Sequence, residues 1–180
     1  MRVTFPRLPD GQRAYALVER DDGVCYRLYG GTDPFPGSQL PHDIRRLIAE
    51  RELGMTDGIW AGIAAGLVLA SMQHVSGPRP PQAAERSREL MPKFAGPRRR
   101  AELLADLVQS VAALDRPTEG QIRRLAKTKL ADAEVAGLDP VAIGAAATAM
   151  QVEAARWARL RIGEELCYDW PGRPARRRAG

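Results

Sequence analysis

Histidine and cysteine, the side chains on which metal sites and covalent catalysis most often depend, are scarce: the 180 residues hold two of each. Cys25 and Cys167 are too few for a disulfide framework or a thiolate zinc site on their own. Each also lacks a nearby histidine in sequence, which removes the simplest thiolate-enzyme reading. No G-x-S-x-G, no glycine-rich phosphate loop with lysine and no dinucleotide fingerprint is present. The glycine-rich stretch "YGGTDPFPGS" runs into prolines rather than into a helix start. The longest apolar run, Gly58 to Met72 with Ser71 its one polar member, has fifteen residues. That is short of the ~20 that span a bilayer, so a buried helix is expected and a membrane partner is not. The start "MRVTFPRLPDG" has no apolar h-region, so no secretory signal is expected, and the expected compartment is a reducing bacterial cytoplasm.

What is present describes a folded chain. Hydrophobic residues make up 44% of the sequence, an ordinary share for a globular protein, and this length buries a real core without staples. The formal charge of +5 directs attention to anionic partners. Four of those charges, Arg173, Arg176, Arg177 and Arg178, lie in the closing "GRPARRRAG", which leaves +1 for everything before it. A basic fold that tracks a phosphate backbone carries its charge on a folded face. The expected organisation is one α+β domain over 1–171 and a basic, disordered tail over 172–180.

The first thirty residues alternate as strands do. "RVTF" places Val3 and Phe5 on one side, and "AYALVER-DDG-VCYRLYG" has β-rich runs around Asp21-Asp22-Gly23, a hairpin signal. Helical spacing then takes over. Pro41 opens a helix that Gly54 closes. "DGIWAGIAAGLVLASMQH" reads as one long helix on which Gly58, Gly62, Gly66 and Ala70 recur every fourth residue. They form a smooth ridge for close packing, within the chain or against a second copy. "SGPRPPQ" and Pro97 bracket a polar helix over 83–94, after which "RRAELLADLVQSVAAL" is amphipathic. Thr118 and Gln121 make a capping box, and Asp139-Pro140 caps an alanine-rich helix reaching Arg161. "EELCYDW" alternates again and is expected to return as a strand to the N-terminal hairpin. The sum is a helix-rich α+β fold, with a small antiparallel sheet of N-terminal strands plus the C-terminal strand packed on about five helices. Both cysteines fall on the sheet face away from the large apolar residues, and no disulfide is expected.

Chemistry is concentrated in "QLPHDIRRLIAERELG". Positions three, four and seven apart share a helix face, which aligns Asp43, Arg46 and Glu50 beside His42. A two-histidine helix site needs imidazoles four apart. The position four after His42 is Arg46, whose guanidinium cannot ligate a metal. Its expected role is to neutralise Asp43 and Glu50, so no metal and no cofactor is assigned. His42, Asp43 and Glu50 stay as candidates for acid–base or metal-dependent catalysis, with His74 the other imidazole able to join them.

The segment "LPHDIRRLIAERELGMTDGIWAGIAAG" resembles a motif of an uncharacterised bacterial protein family, in which a short N-terminal hairpin precedes LPHDLxHxxVExxLGLxxGxWGxxAxG. The matching positions are Leu40, Pro41, His42, Asp43, Glu50, Leu53, Gly54, Gly58, Trp60, Gly62 and Ala64. The match covers about thirty residues, with a looser likeness in the terminal strands. Arg46 stands where that pattern has its second histidine. The resemblance implies a fold and a bacterial origin, and no activity; should the family's His-Asp-His-Glu set bind a metal, Arg46 implies its loss here.

Two basic clusters remain. Arg98, Arg99 and Arg100 sit at the start of the amphipathic helix, the end where positive charge is least favoured. Arg123, Arg124 and Lys127 lie along the capped helix. With Arg176, Arg177 and Arg178 they are the candidate contacts to nucleic acid or another anion, made through phosphates. A helix-turn-helix is not favoured, because its second helix would start with no base-reading side chain. The leading expectation is a non-catalytic cytosolic protein acting through protein–protein interaction or self-association. The alternatives are a small metal-dependent enzyme built on His42, Asp43 and Glu50, and a non-specific nucleic-acid binder.

Overall fold

The alternation near the N-terminus becomes three strands, β1 (Arg2–Pro6), β2 (Tyr15–Glu19) and β3 (Cys25–Tyr29), in a computed structural model that describes residues 1–30, 40–79 and 81–171. Val3, Phe5, Ala16, Val18, Tyr26 and Leu28 are buried on one face. The hairpin closes on Gly23, whose φ of +80° suits a residue without Cβ and whose N–H donates to the Arg20 carbonyl at 2.9 Å. β4 (Met72–Ser76) and β5 (Glu165–Asp169) complete an antiparallel sheet ordered β4-β3-β2-β1-β5. The C-terminal strand returns to the hairpin as its alternation requires, with Tyr168 opposite Val3 and Leu166 opposite Phe5. Cys25 and Cys167 are both free thiols. Their strands are separated by β2 and β1, roughly 14 Å at the usual strand spacing, too far to bridge. Both sheet edges are blunted. β4 carries a bulge opposite Cys25 and Tyr26, and β5 exposes the carboxylates of Glu165 and Asp169.

Among the described residues six helices accompany the sheet: α1 (His42–Glu52), α2 (Ile59–Ala65), α3 (Ala83–Ala112), α4 (Glu119–Lys127), α5 (Asp132–Ala136) and α6 (Pro140–Arg159). They lie on the apolar face. The α2 ring of Trp60 meets Phe5 edge-on at 6.0 Å, while Glu153 of α6 and Arg51 of α1 both reach Tyr168. α3 packs on α1 and α6 behind them, and one cluster of buried side chains runs from Val3 through Leu47 and Val108 to Trp157. Among the described residues no helix is long and apolar enough to cross a membrane.

Two expectations are corrected. The apolar run after Gly58 is not one helix. Gly66 adopts φ +115° and closes α2 after seven residues, and the chain then turns into β4. An apolar run of this length cannot be told from a strand by periodicity, and pairing with β3 decides it here. Gly58, Gly62 and Gly66 are therefore no continuous ridge. Gly58 precedes the first turn, Gly66 ends the last, and Gly62 lets Leu67 and Phe94 approach to 3.1 Å of where a Cβ would sit.

The second correction concerns Pro97. α3 runs thirty residues with Pro92 and Pro97 inside it. Each proline removes one intrahelical N–H, which leaves the carbonyls of Arg88 and Lys93 without their partners four residues on. Water reaches this half of the helix, because only Ser87 is buried before Ala101. Pro92→Ala restores a bond at an exposed position and is expected to stabilise the protein by ~1–2 kcal/mol, part of the proline penalty in a helix. A raised urea midpoint is the readout; a lowered one would show that the proline sets the seat of Phe94 on Gly62.

Candidate functional site

The most constrained polar group is Glu50. From Ile44 to Glu50 every residue of α1 is buried, and Glu50 itself is 0% exposed. Its carboxylate faces the start of α2, where helix geometry leaves N–H groups without intrahelical acceptors. Gly58 stands at the cap position and has no side chain to offer. Glu50 supplies the cap from a neighbouring helix: Oε1 accepts the Ile59 N–H at 2.9 Å and Oε2 the Trp60 N–H at 3.0 Å. The fit explains Gly58, since a methyl group there would overlap the carboxylate. Burial pushes the Glu50 carboxyl up to about 7, against the opposing pull of the two N–H bonds and of Arg46, and with a small push from Asp57.

Arg46 does not take up the pairing with Asp43 and Glu50 that its spacing predicts. It leans across to α3, donating to the Arg98 carbonyl at 3.4 Å and lying 4.0 Å from Glu102. His42 sits in the same surface network, with Nδ1 3.5 Å from Asp43 and Nε2 3.6 Å from Glu102. Glu50 is about 12 Å further along the axis and turned toward α2. The structure thus brings His42 and Asp43 together and leaves Glu50 out. His74 is elsewhere, on β4, with its ring edge-on to Tyr26 at 5.8 Å and Nε2 3.0 Å from the Gly77 carbonyl. Among the described residues no three His, Cys, Asp or Glu side chains group as a metal ion would need.

A cavity of about 350 Å³ opens where the end of α1, the middle of α3, α5 and the start of α6 meet. Leu104, Leu130 and Ile143 form its floor, and Asp57, Arg100, Glu134 and Asp139 its rim. Two of the rim carboxylates already cap helices: Glu134 accepts the Ala131 N–H at 3.2 Å and Asp139 the Val141 N–H at 2.9 Å. Their chemistry is accounted for by the scaffold.

The basic residues are arranged differently from expectation. Arg98, Arg99 and Arg100 are exposed in the interior of α3, so the unfavourable placement at a helix start disappears. Arg100 lies 3.5 Å from Glu134 of α5. Arg123, Arg124 and Lys127 are exposed on α4, whose buried side carries Ile122 and Ala126. Arg176, Arg177 and Arg178 lie outside the described residues, as does the whole expected tail. Because α3 is unbroken, the triplet joins Arg86, Arg88 and Lys93 on one rod. From Arg79 to Arg100 seven cations stand against Glu85 and Glu89 alone, a net +5. That block was visible in the sequence but divided by the assumed break at Pro97.

Set beside known families, curated proteins and solved structures, the chain matches none. The motif resemblance over 40–64 gains no further support from them. What the fold defines is a helix-rich α+β protein whose five-stranded sheet is covered by helices on its apolar face.

Proposed function

We propose that this chain is a non-catalytic binding protein of the bacterial cytoplasm, and that the first half of α3 is its recognition element. One observation supports this above others: over the eighteen residues from Ala83 to Arg100, Ser87 alone is buried. Leu90 and Phe94 seat this half on the core. The opposite side presents Arg88, Met91, Ala95 and Arg99, all exposed and spaced three or four apart, so they share one face. Methionine and arginine together are enriched at protein interfaces.

Charge narrows the partner. From Arg79 to Arg100 the chain carries +5, and once the four tail arginines are also set aside the remainder carries −4. Two copies of so basic a face repel one another, which disfavours self-association through it. A protein with an acidic surface fits. The central, exposed Met91 suits such a partner better than a phosphate backbone.

A photo-crosslinking side chain placed at Met91, at Arg99, and at Val152 of α6 as an exposed control (54% accessible) tests the reading in cells. The same acidic protein is expected from both α3 positions and not from the control. Identical products at all three positions, or nucleic acid from the α3 positions, would overturn it.

A further inference from the structure

We propose that the sheet face turned away from the helices binds single-stranded nucleic acid, on a platform built from Tyr15, Tyr29, Arg13 and Arg27. Strand alternation sends Tyr15 of β2 and Arg27 and Tyr29 of β3 to this face, with Gln73 of β4 opposite Arg27. Tyr15 and Tyr29 are paired across the two strands, and their rings meet edge-on at 6.3 Å. Each ring carries a guanidinium on its face. Arg27 lies 4.6 Å from the Tyr15 centroid and Arg13 4.8 Å from that of Tyr29. Polar contacts fix the arrangement: Arg27 donates to the Tyr29 hydroxyl at 3.5 Å, which donates to the Gln73 side-chain carbonyl at 3.2 Å. Arg13 and Gln73 are exposed, and the other three are half-buried.

The charges of the platform are uncompensated. Other arginines meet carboxylates, as Arg20 does with Asp22, Arg51 with Glu52 and Arg156 with Glu153. Among the described residues neither Arg13 nor Arg27 has a carboxylate within ion-pair distance; their partners are the tyrosines. The carboxylates of the same face stand apart. Glu19 is four residues along β2 from Tyr15, roughly 13 Å, and Glu165 and Asp169 are on β5, two strands beyond β2.

Two unpaired cations among flat rings call for a ligand that is both anionic and planar. Phosphates satisfy the guanidiniums, while bases stack on tyrosine rings or on the outer plane of a guanidinium held against one. The exposed Gln73 amide is left for base edges. An acidic protein segment would satisfy the charges alone, and a duplex keeps its base faces inside its own stack. The platform lies across the sheet from the helices, so it is independent of the α3 face and of the function proposed above.

Fluorescence anisotropy of the full chain with labelled oligouridylate and oligothymidylate of about ten nucleotides tests it. Saturable binding that weakens as salt rises is expected, tighter than for a duplex of the same length. Tyr29→Ala should weaken it about fivefold or more, the loss of one base stack, while Tyr29→Phe keeps the ring and should hold the affinity. Arg13→Gln, at an exposed position that cannot disturb folding, should lower the salt slope by about one. Arg88→Glu/Arg99→Glu on α3 should change the affinity less than Tyr29→Ala does. Absent binding, a duplex bound as tightly, or an unchanged salt slope in Arg13→Gln would overturn the platform. So would a larger loss from the α3 reversal than from Tyr29→Ala. In cells a photo-crosslinker at Gln73 should capture nucleic acid; an acidic protein captured there instead would also overturn it.

Discussion

Glu50→Ala is expected to cost about 4 kcal/mol of unfolding free energy at pH 5.5 and about 2 kcal/mol at pH 8.5. Two buried N–H groups lose their acceptor, at roughly 1–3 kcal/mol each, and a space is left where the carboxyl was. The pH dependence follows from the raised carboxyl. A group that titrates near 7 folded and 4.5 unfolded binds its proton more tightly in the native state. The stability it contributes is complete below about 4.5 and is lost as pH rises through about 7. The unsubstituted protein should therefore lose ~2 kcal/mol between the two conditions. The alanine variant has no such term and should change little. Urea unfolding at both pH values provides the comparison, and an equal loss at both would show that Glu50 is not the titrating group.

Gly58→Ala is expected to cost about 3 kcal/mol, for a different reason. The backbone at Gly58 has φ −73° and ψ −173°, open to any residue. The conflict is with the Glu50 carboxylate, which the new methyl would overlap and which would have to abandon the N–H groups to move aside. In the double variant Glu50→Ala/Gly58→Ala the methyl enters vacated space. The pair should then cost little more than Glu50→Ala alone, a coupling of about 3 kcal/mol. Additive losses would mean that the two residues do not share one site.

Much of the fold was legible because its signals are local. The hairpin at Gly23, the capping box at Thr118, the Asp139-Pro140 start of α6 and the alternation of β5 each fix a conformation from a few neighbouring residues. Features set by distant partners were not legible. Met72–Ser76 is a strand because β3 offers it a ladder, and no local pattern announces that. Pro97 ends many helices, yet here the core contacts of Phe94 on one side and Leu104 on the other carry the helix through it.

The site shows the same division. His42, Asp43 and Glu50 stand out as titratable residues of one helix, where spacing points to partners three and four positions away. Glu50 instead binds the backbone nine and ten residues on, across a turn, and Arg46 answers to α3. A carboxylate directly after the apolar run Leu47 to Ala49 of α1, followed by a glycine before the next helix, was the available signal. For the basic face the signal was the charge block itself.

The central claim, that the outward side of the first half of α3 is the working surface, is met most directly by reversing two of its charges. With a crosslinker at Met91, Arg88→Glu/Arg99→Glu should abolish capture of the acidic partner while leaving the urea midpoint unchanged, since both side chains are exposed. Undiminished capture by a stably folded variant would contradict the account.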